Sequence, residues 1–181
     1  ASALNWAKGL GLFSDFSEVD RFTAPPAILR DLAFVPALSG LGCPHWDRSA
    51  AGLWIGLGLD TTRSDMMQSM LEGIALRAAE VIAAMKHLVP LGTRISVDGG
   101  MARNPYFLSF LATALDKTVL VPSSVNLTAL GTARMAMIGA GAPELPTLPP
   151  PAHFIAPSGG FGAVASSRFA DAGQRARAWR R

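Results

Sequence analysis

The chain has 181 residues, half of them hydrophobic and 16% charged, with a formal net charge of +3 and one cysteine. That is enough apolar material for a sizeable core, and a lone Cys43 rules out an internal disulfide framework, which favours a reducing compartment such as the cytoplasm. No apolar run approaches the length of a membrane-spanning helix, and the start lacks a basic segment followed by an apolar core, so neither a membrane span nor a leader is expected.

Ser2 to Leu10 reads as a short helix with Leu4, Trp6, Ala7 and Leu10 on its apolar side, closed by Gly9 and Gly11. Phe13 to Asp31, broken by Pro25-Pro26, predicts a short helical turn and a loop, and Ala33 to Pro36 a short strand. The Gly-, Pro- and Ser-rich stretch from Pro36 to Gly52 predicts an ordered loop, because Leu41 and Trp46 belong out of water. Leu53 to Leu59 predicts another strand. Thr61 to Leu88 carries the strongest helical signal: Ser64 can cap it, and Met67, Leu71, Ile74, Ala78, Ile82 and Met85 recur on one face. Pro90-Leu91-Gly92 ends it.

Arg94 to Val97 alternates β-branched Ile95 and Val97 with polar neighbours and predicts a strand. Asn104-Pro105 opens a helix, Asn as cap and Pro at the first helical position, with Tyr106, Phe107, Phe110, Leu111, Ala114 and Leu115 on its buried side. Thr118 to Val121 is a second strand, and Asn126 to Ile138 a third helix, ended by Gly139 and Gly141. Gly131 inside that helix costs about 1 kcal/mol against Ala, which predicts close approach of another backbone or a ligand. Ala142 to Pro151 reads as a proline-rich surface connection, and Ala165 to Arg180 as an amphipathic helix docked through Phe169 and Trp179. Five arginines crowd the last fourteen residues, but without interleaved aromatics they read as a solvated helix face, and no nucleic-acid partner is expected. The strand–helix–strand order after Arg94 implies a parallel pair with a right-handed crossover. Two strands do not make a sheet, so further strands must be supplied from elsewhere.

Few residues recommend themselves for chemistry. His45, His87 and His153 stand far apart and beside no Cys, Asp or Glu at ligand spacing, so no metal site is expected within the chain. Neither a GxSxG elbow nor a GxxxxGK[ST] loop is present. Asp47, Glu72 and Asp98 are isolated carboxylates that suit caps, turns or ion pairs. The stretch RISVDGGMARNPYFLSFL, Arg94 to Leu111, is different. The C-terminal end of a parallel strand, followed by a glycine turn and a helix N-terminus, is where α/β proteins bind ligands. Gly99 and Gly100 let a base or phosphate approach the main chain with no Cβ in the way, and the Asn104 amide could bond a nucleotide. The same residues also suit a plain turn and a helix cap, and the residues alone leave both readings open.

Four blocks carry a resemblance: FVPALSGLGCPHWD (Phe34 to Asp47), GLWIGLGLDTTRSDMMQSMLE (Gly52 to Glu72), VDGGMARN (Val97 to Asn104) and TALGTA (Thr128 to Ala133). In content, order and spacing they resemble the C-terminal region of the FGGY carbohydrate kinases, the glycerol kinases most of all. The resemblance implies an α/β chain, a partial ribonuclease H-like domain of the actin and hexokinase type, mostly helical with a short parallel strand pair. Residues 1–141 would be the partial nucleotide-binding domain, and residues 142–181 a connection and terminal helix packed on it. It implies ATP or ADP as ligand, with Mg2+, and a nucleotide site at Gly99, Gly100, Asn104 and Asn5. By the same resemblance, the catalytic Asp, the phosphate loops and the acceptor-binding residues of the family lie upstream of Ala1, so no catalytic residue is expected here. The chain would then act with an N-terminal kinase domain or a second copy of itself, and alone it would be inactive. A stand-alone nucleotide-binding module and a protein-interaction module remain as alternatives.

Overall fold

The computed structural model describes residues 2–123, 126–142, 150–177 and 179–180. Helix α1 (Ser2–Gly9) buries Ala3, Leu4 and Ala7. A 3-10 turn at Phe16–Val19 follows, opened by a capping box in which the Asp15 side chain accepts from Ser17 N and the Glu18 side chain accepts from Asp15 N. A second 3-10 turn at Ala27–Arg30 leads into β1 (Ala33–Val35), which pairs antiparallel with β2 (Leu53–Ile55). The second strand is shorter than its sequence suggests: Gly56, at φ 92°, turns the chain out of the ladder.

Helix α2 (Arg63–Met85) is the centre of the fold. Its cap is Thr62, which exchanges bonds with Asp65, and the expected Ser64 lies two residues too far in. Met67 to Gly73 are buried without a break, so this stretch of the helix is enclosed on every side rather than on one face. Gly73 shows how closely: a Cβ there would lie 2.0 Å from the Phe34 carbonyl of β1. Ile82 and Met85, expected in the core, belong to the emerging C-terminal half, with Met85 40% exposed.

Strand β3 (Arg94–Ser96) pairs parallel with β4 (Thr118–Pro122) through helix α3 (Pro105–Leu115), as expected of a strand–helix–strand unit. A third strand, β5 (Pro151–Ile155), adds antiparallel to β4, giving the order β3-β4-β5. Its first residue was expected in the proline-rich connection, whose residues 143–149 lie outside the described residues. Helix α4 (Leu127–Gly139) buries no residue, and Gly131 faces open space rather than another backbone of this chain. Helix α5 (Gly162–Ala176) sets Ala165, Phe169 and Ala172 into the same core as α2, α3 and β1. It stops short of Trp179, which is 74% exposed. The arginines do more than face solvent: Arg168 bonds Ile28 O at 2.9 Å, and Arg180 bonds Leu38 O and donates its main-chain N–H to Ser49 O.

The loop between β1 and β2 is ordered for a reason other than the expected one. Leu41 is buried but Trp46 is 76% exposed and sits at φ 51°. Polar bracing holds the loop instead. The Asp47 carboxylate accepts from Ser49 N, Ser49 Oγ and Ala50 N, and Arg77 of α2 bonds Cys43 O at 2.6 Å.

Candidate nucleotide site

A cavity of about 350 Å³ opens where α1, the first 3-10 turn and the start of α3 meet. Leu4, Phe16 and Met101 give it apolar walls, Gly100 contributes main chain, and Asn5, Asp20, Arg103 and Asn104 bring polar groups. Three of the four residues expected to bind a nucleotide, Asn5, Gly100 and Asn104, therefore lie together despite a sequence gap of almost a hundred residues. Gly99 lines a neighbouring, wider groove at the strand ends, with Asp98, Arg103 and His153. Its φ of 92° is the backbone state that turns the chain from β3 into the 3-10 turn Gly100–Arg103. A Cβ added at Gly100 would meet nothing within 4 Å, so the space beside it is open.

Asn104 is 7% exposed and does structural work. Its Oδ1 accepts from Phe107 N at 2.7 Å, capping α3, and its Nδ2 donates to Val19 O at 2.8 Å and Asp20 Oδ1 at 3.2 Å. One side chain thus ties the 3-10 turn to the helix start and fixes the width of the cavity. Asn5 is exposed on α1. The described lining holds no hydroxyl, thiol or imidazole side chain; Asp20 is its one carboxylate, and the apolar walls suit a flat ligand.

A buried polar network joins α2 to the second 3-10 turn and to α3. Glu72 of α2 accepts from Ala27 N (2.7 Å), Ile28 N (2.8 Å) and the Tyr106 hydroxyl. Gln68 donates to Tyr106 Oη at 2.8 Å and accepts from Arg30, which also pairs with Asp65 at 2.7 Å. Burial pushes the Glu72 carboxyl up to about 7, against the pull of those three donors, and burial likewise pushes the Tyr106 phenol up. Glu72 is therefore a cap for the second 3-10 turn, as an isolated carboxylate can be.

Residues 11–140 match the model for the FGGY family of carbohydrate kinases, C-terminal domain. The chain belongs to that family. It is 40% identical over 149 residues to a glycerol kinase of Thermus brockianus, covering 82% of this chain and 30% of that protein. A glycerol kinase of Bordetella parapertussis is 36% identical over 143 residues, covering 77% and 28%. Among solved structures, a Plasmodium falciparum glycerol kinase with ADP superposes at a TM-score of 0.79 with 22% identity, covering 97% of this chain and 36% of that one. A xylulose kinase from Brucella ovis superposes at 0.76 with 28% identity, covering 96% and 36%.

The FGGY chain described here thus spans about 30% of the length of the curated relatives it matches. Its fold is part of the actin- and hexokinase-like architecture of these kinases. Of the other cavity residues, Met101 and Arg103 lie within the block VDGGMARN without being singled out there, and Phe16 and Asp20 gave no signal in the sequence. Asp20 reaches the site through a contact with a residue 84 positions away, and no local pattern encodes that.

Proposed function

We propose that this chain is the nucleotide-binding, C-terminal part of an ATP-dependent glycerol or carbohydrate kinase. The adenosine of ATP or ADP rests against the main chain of Gly99-Gly100, in the cavity that Asn104 shapes and Asn5 borders. The convergence of Asn5, Gly100 and Asn104 on one cavity carries this reading. In the complete enzyme the γ-phosphoryl would pass to a hydroxyl of a polyol or sugar, a reaction that depends on positioning and charge neutralisation. No group of three or more His, Cys, Asp or Glu side chains converges among the described residues, so none is assigned to Mg2+. That ion would arrive with the nucleotide phosphates. Residues 1–141 form the partial nucleotide-binding domain, and residues 142–181 are a proline-rich connection and terminal helix packed on it. Alone the chain catalyses nothing, and its partners are the nucleotide and either an N-terminal kinase domain or a second copy. Its single cysteine supports a cytoplasmic setting.

A second reading, a non-catalytic nucleotide-binding or protein-interaction module, draws on the uncovered helix α4. Thermal unfolding with increasing ADP separates the two arms of that reading. Binding stabilises the fold by about 2.7 kcal/mol at a hundred times Kd, so the midpoint climbs with ADP if the site works. Adding the upstream region of a glycerol kinase then restores phosphoryl transfer for a kinase part and leaves a stand-alone module inactive. An ADP-insensitive midpoint contradicts the nucleotide reading.

A further inference from the structure

Asn104 has no hydrogen to spare. Both of its amide N–H groups are given to Val19 O and Asp20 Oδ1, and its oxygen serves Phe107 N. A ligand could recruit that amide only by breaking the link between the 3-10 turn and α3. Asn104 therefore has no N–H to give a nucleoside, and the other polar groups of the wall, Asn5, Asp20 and Arg103, are left to meet it.

We infer that Asp20 is the specificity-determining side chain of this cavity, accepting a hydrogen bond from an N–H or O–H donor on the nucleoside. The inference rests on the nucleotide reading above and deepens it. Asp20 is half-buried and lines the cavity next to Gly100 and Asn104. Its main-chain N–H ends the 3-10 turn on Ser17 O, and the bond from Asn104 holds Oδ1, so the carboxylate is fixed in place. Among the described residues Oδ2 has no protein partner. A carboxylate is an acceptor only, so the group it recognises must carry a hydrogen. Phe16, Met101 and Leu4 around it suit the flat, apolar faces of a base. Adenosine offers two kinds of donor, the exocyclic amine of the base and the ribose hydroxyls. A base with a keto group in place of that amine would set acceptor against acceptor, which a built polar site rejects strongly.

The test is calorimetric titration of the full chain and of Asp20→Asn with ADP, inosine diphosphate, 2′-deoxy-ADP and 3′-deoxy-ADP. The substitution keeps an oxygen for Asn104 and turns the second acceptor into a donor, so the thermal midpoint should stay within about two degrees of wild type. ADP affinity should fall about tenfold or more. The analogue that lacks the recognised donor should bind wild type with the same loss, and bind the variant with no further loss. That analogue identifies the donor as amine or hydroxyl. ADP affinity within twofold between the two proteins overturns the inference, as does a variant that weakens all four ligands equally. A wild-type chain that binds none of the four overturns the nucleotide reading itself, a distinct failure.

Discussion

Helices α2 and α4 are both long, apolar and regular, yet their surroundings are opposite. Residues Met67 to Gly73 of α2 are enclosed by β1, α3, α5 and the second 3-10 turn, and even Gln68, Ser69 and Glu72 among them are buried. The 13 residues of α4 bury nothing, with Met135 69% and Ile138 55% exposed. A helix of that length is marginal in water without packing, and this one carries a glycine inside. Among the described residues, strand β3 has a neighbour on one side only. One part of the molecule is therefore a finished core, and the other is a face that suits further strands, in keeping with a chain about 30% as long as its relatives.

The same substitution in the two helices is the sharpest way to break this comparison. Gly73→Ala drives a methyl onto the Phe34 carbonyl, which cannot give way because β1 is itself buried. It should cost about 3 kcal/mol or more, read as a lowered urea midpoint with an unchanged slope. A loss under 1 kcal/mol would mean that the core is looser than it stands.

Next comes pH. Glu72 is held at about 7 when folded, against 4.5 for the free group. A raised carboxyl binds its proton more tightly in the folded state, so its contribution is complete below about 4.5 and is lost as pH rises through about 7. The loss amounts to about 3 kcal/mol. Unfolding midpoints at pH 5 and 8 should show it, and Glu72→Gln should remove that slope. Parallel profiles for the two proteins would place the pH dependence elsewhere.

Gly131→Ala in α4 should act in the opposite direction to its counterpart in α2. The new methyl meets open space, and the helix gains about 1 kcal/mol of propensity. Amide exchange in α4 should slow about fivefold while global stability barely moves. Ile138→Ser is the smallest effect: an exposed site should change stability by less than about 0.5 kcal/mol. A cost of 2 kcal/mol would show that α4 is covered, by a second copy or by another face of the chain.

What was legible in the sequence was whatever is encoded locally. The period of Met67, Leu71 and Ile74, the Asn104-Pro105 cap and the alternation at Ile95 and Val97 locate α2, α3 and β3. Strand β5 was hidden because it exists only through the edge that β4 offers it, and its own residues do not alternate in burial. Trp46 was misjudged because hydrophobicity argues for burial, whereas hydrogen bonds from Ser49, Ala50 and Arg77 hold that loop with the ring outside. The cavity was half legible. Glycines and a cap announced Gly100 and Asn104, but only the fold brings Asp20 and Phe16 to face them.

The central claim is that the open space beside Gly100 holds the adenosine of a nucleotide. Calorimetric titration of ADP with Mg2+ into this chain and into Gly100→Arg tests it most directly. A Cβ at Gly100 meets no atom within 4 Å and the space beside it is open, so the variant should fold and melt like wild type. The account predicts saturable binding to the wild-type chain and at least a tenfold loss in the variant. Equal affinity in the two proteins would contradict it, because the nucleotide would then sit somewhere other than against Gly100.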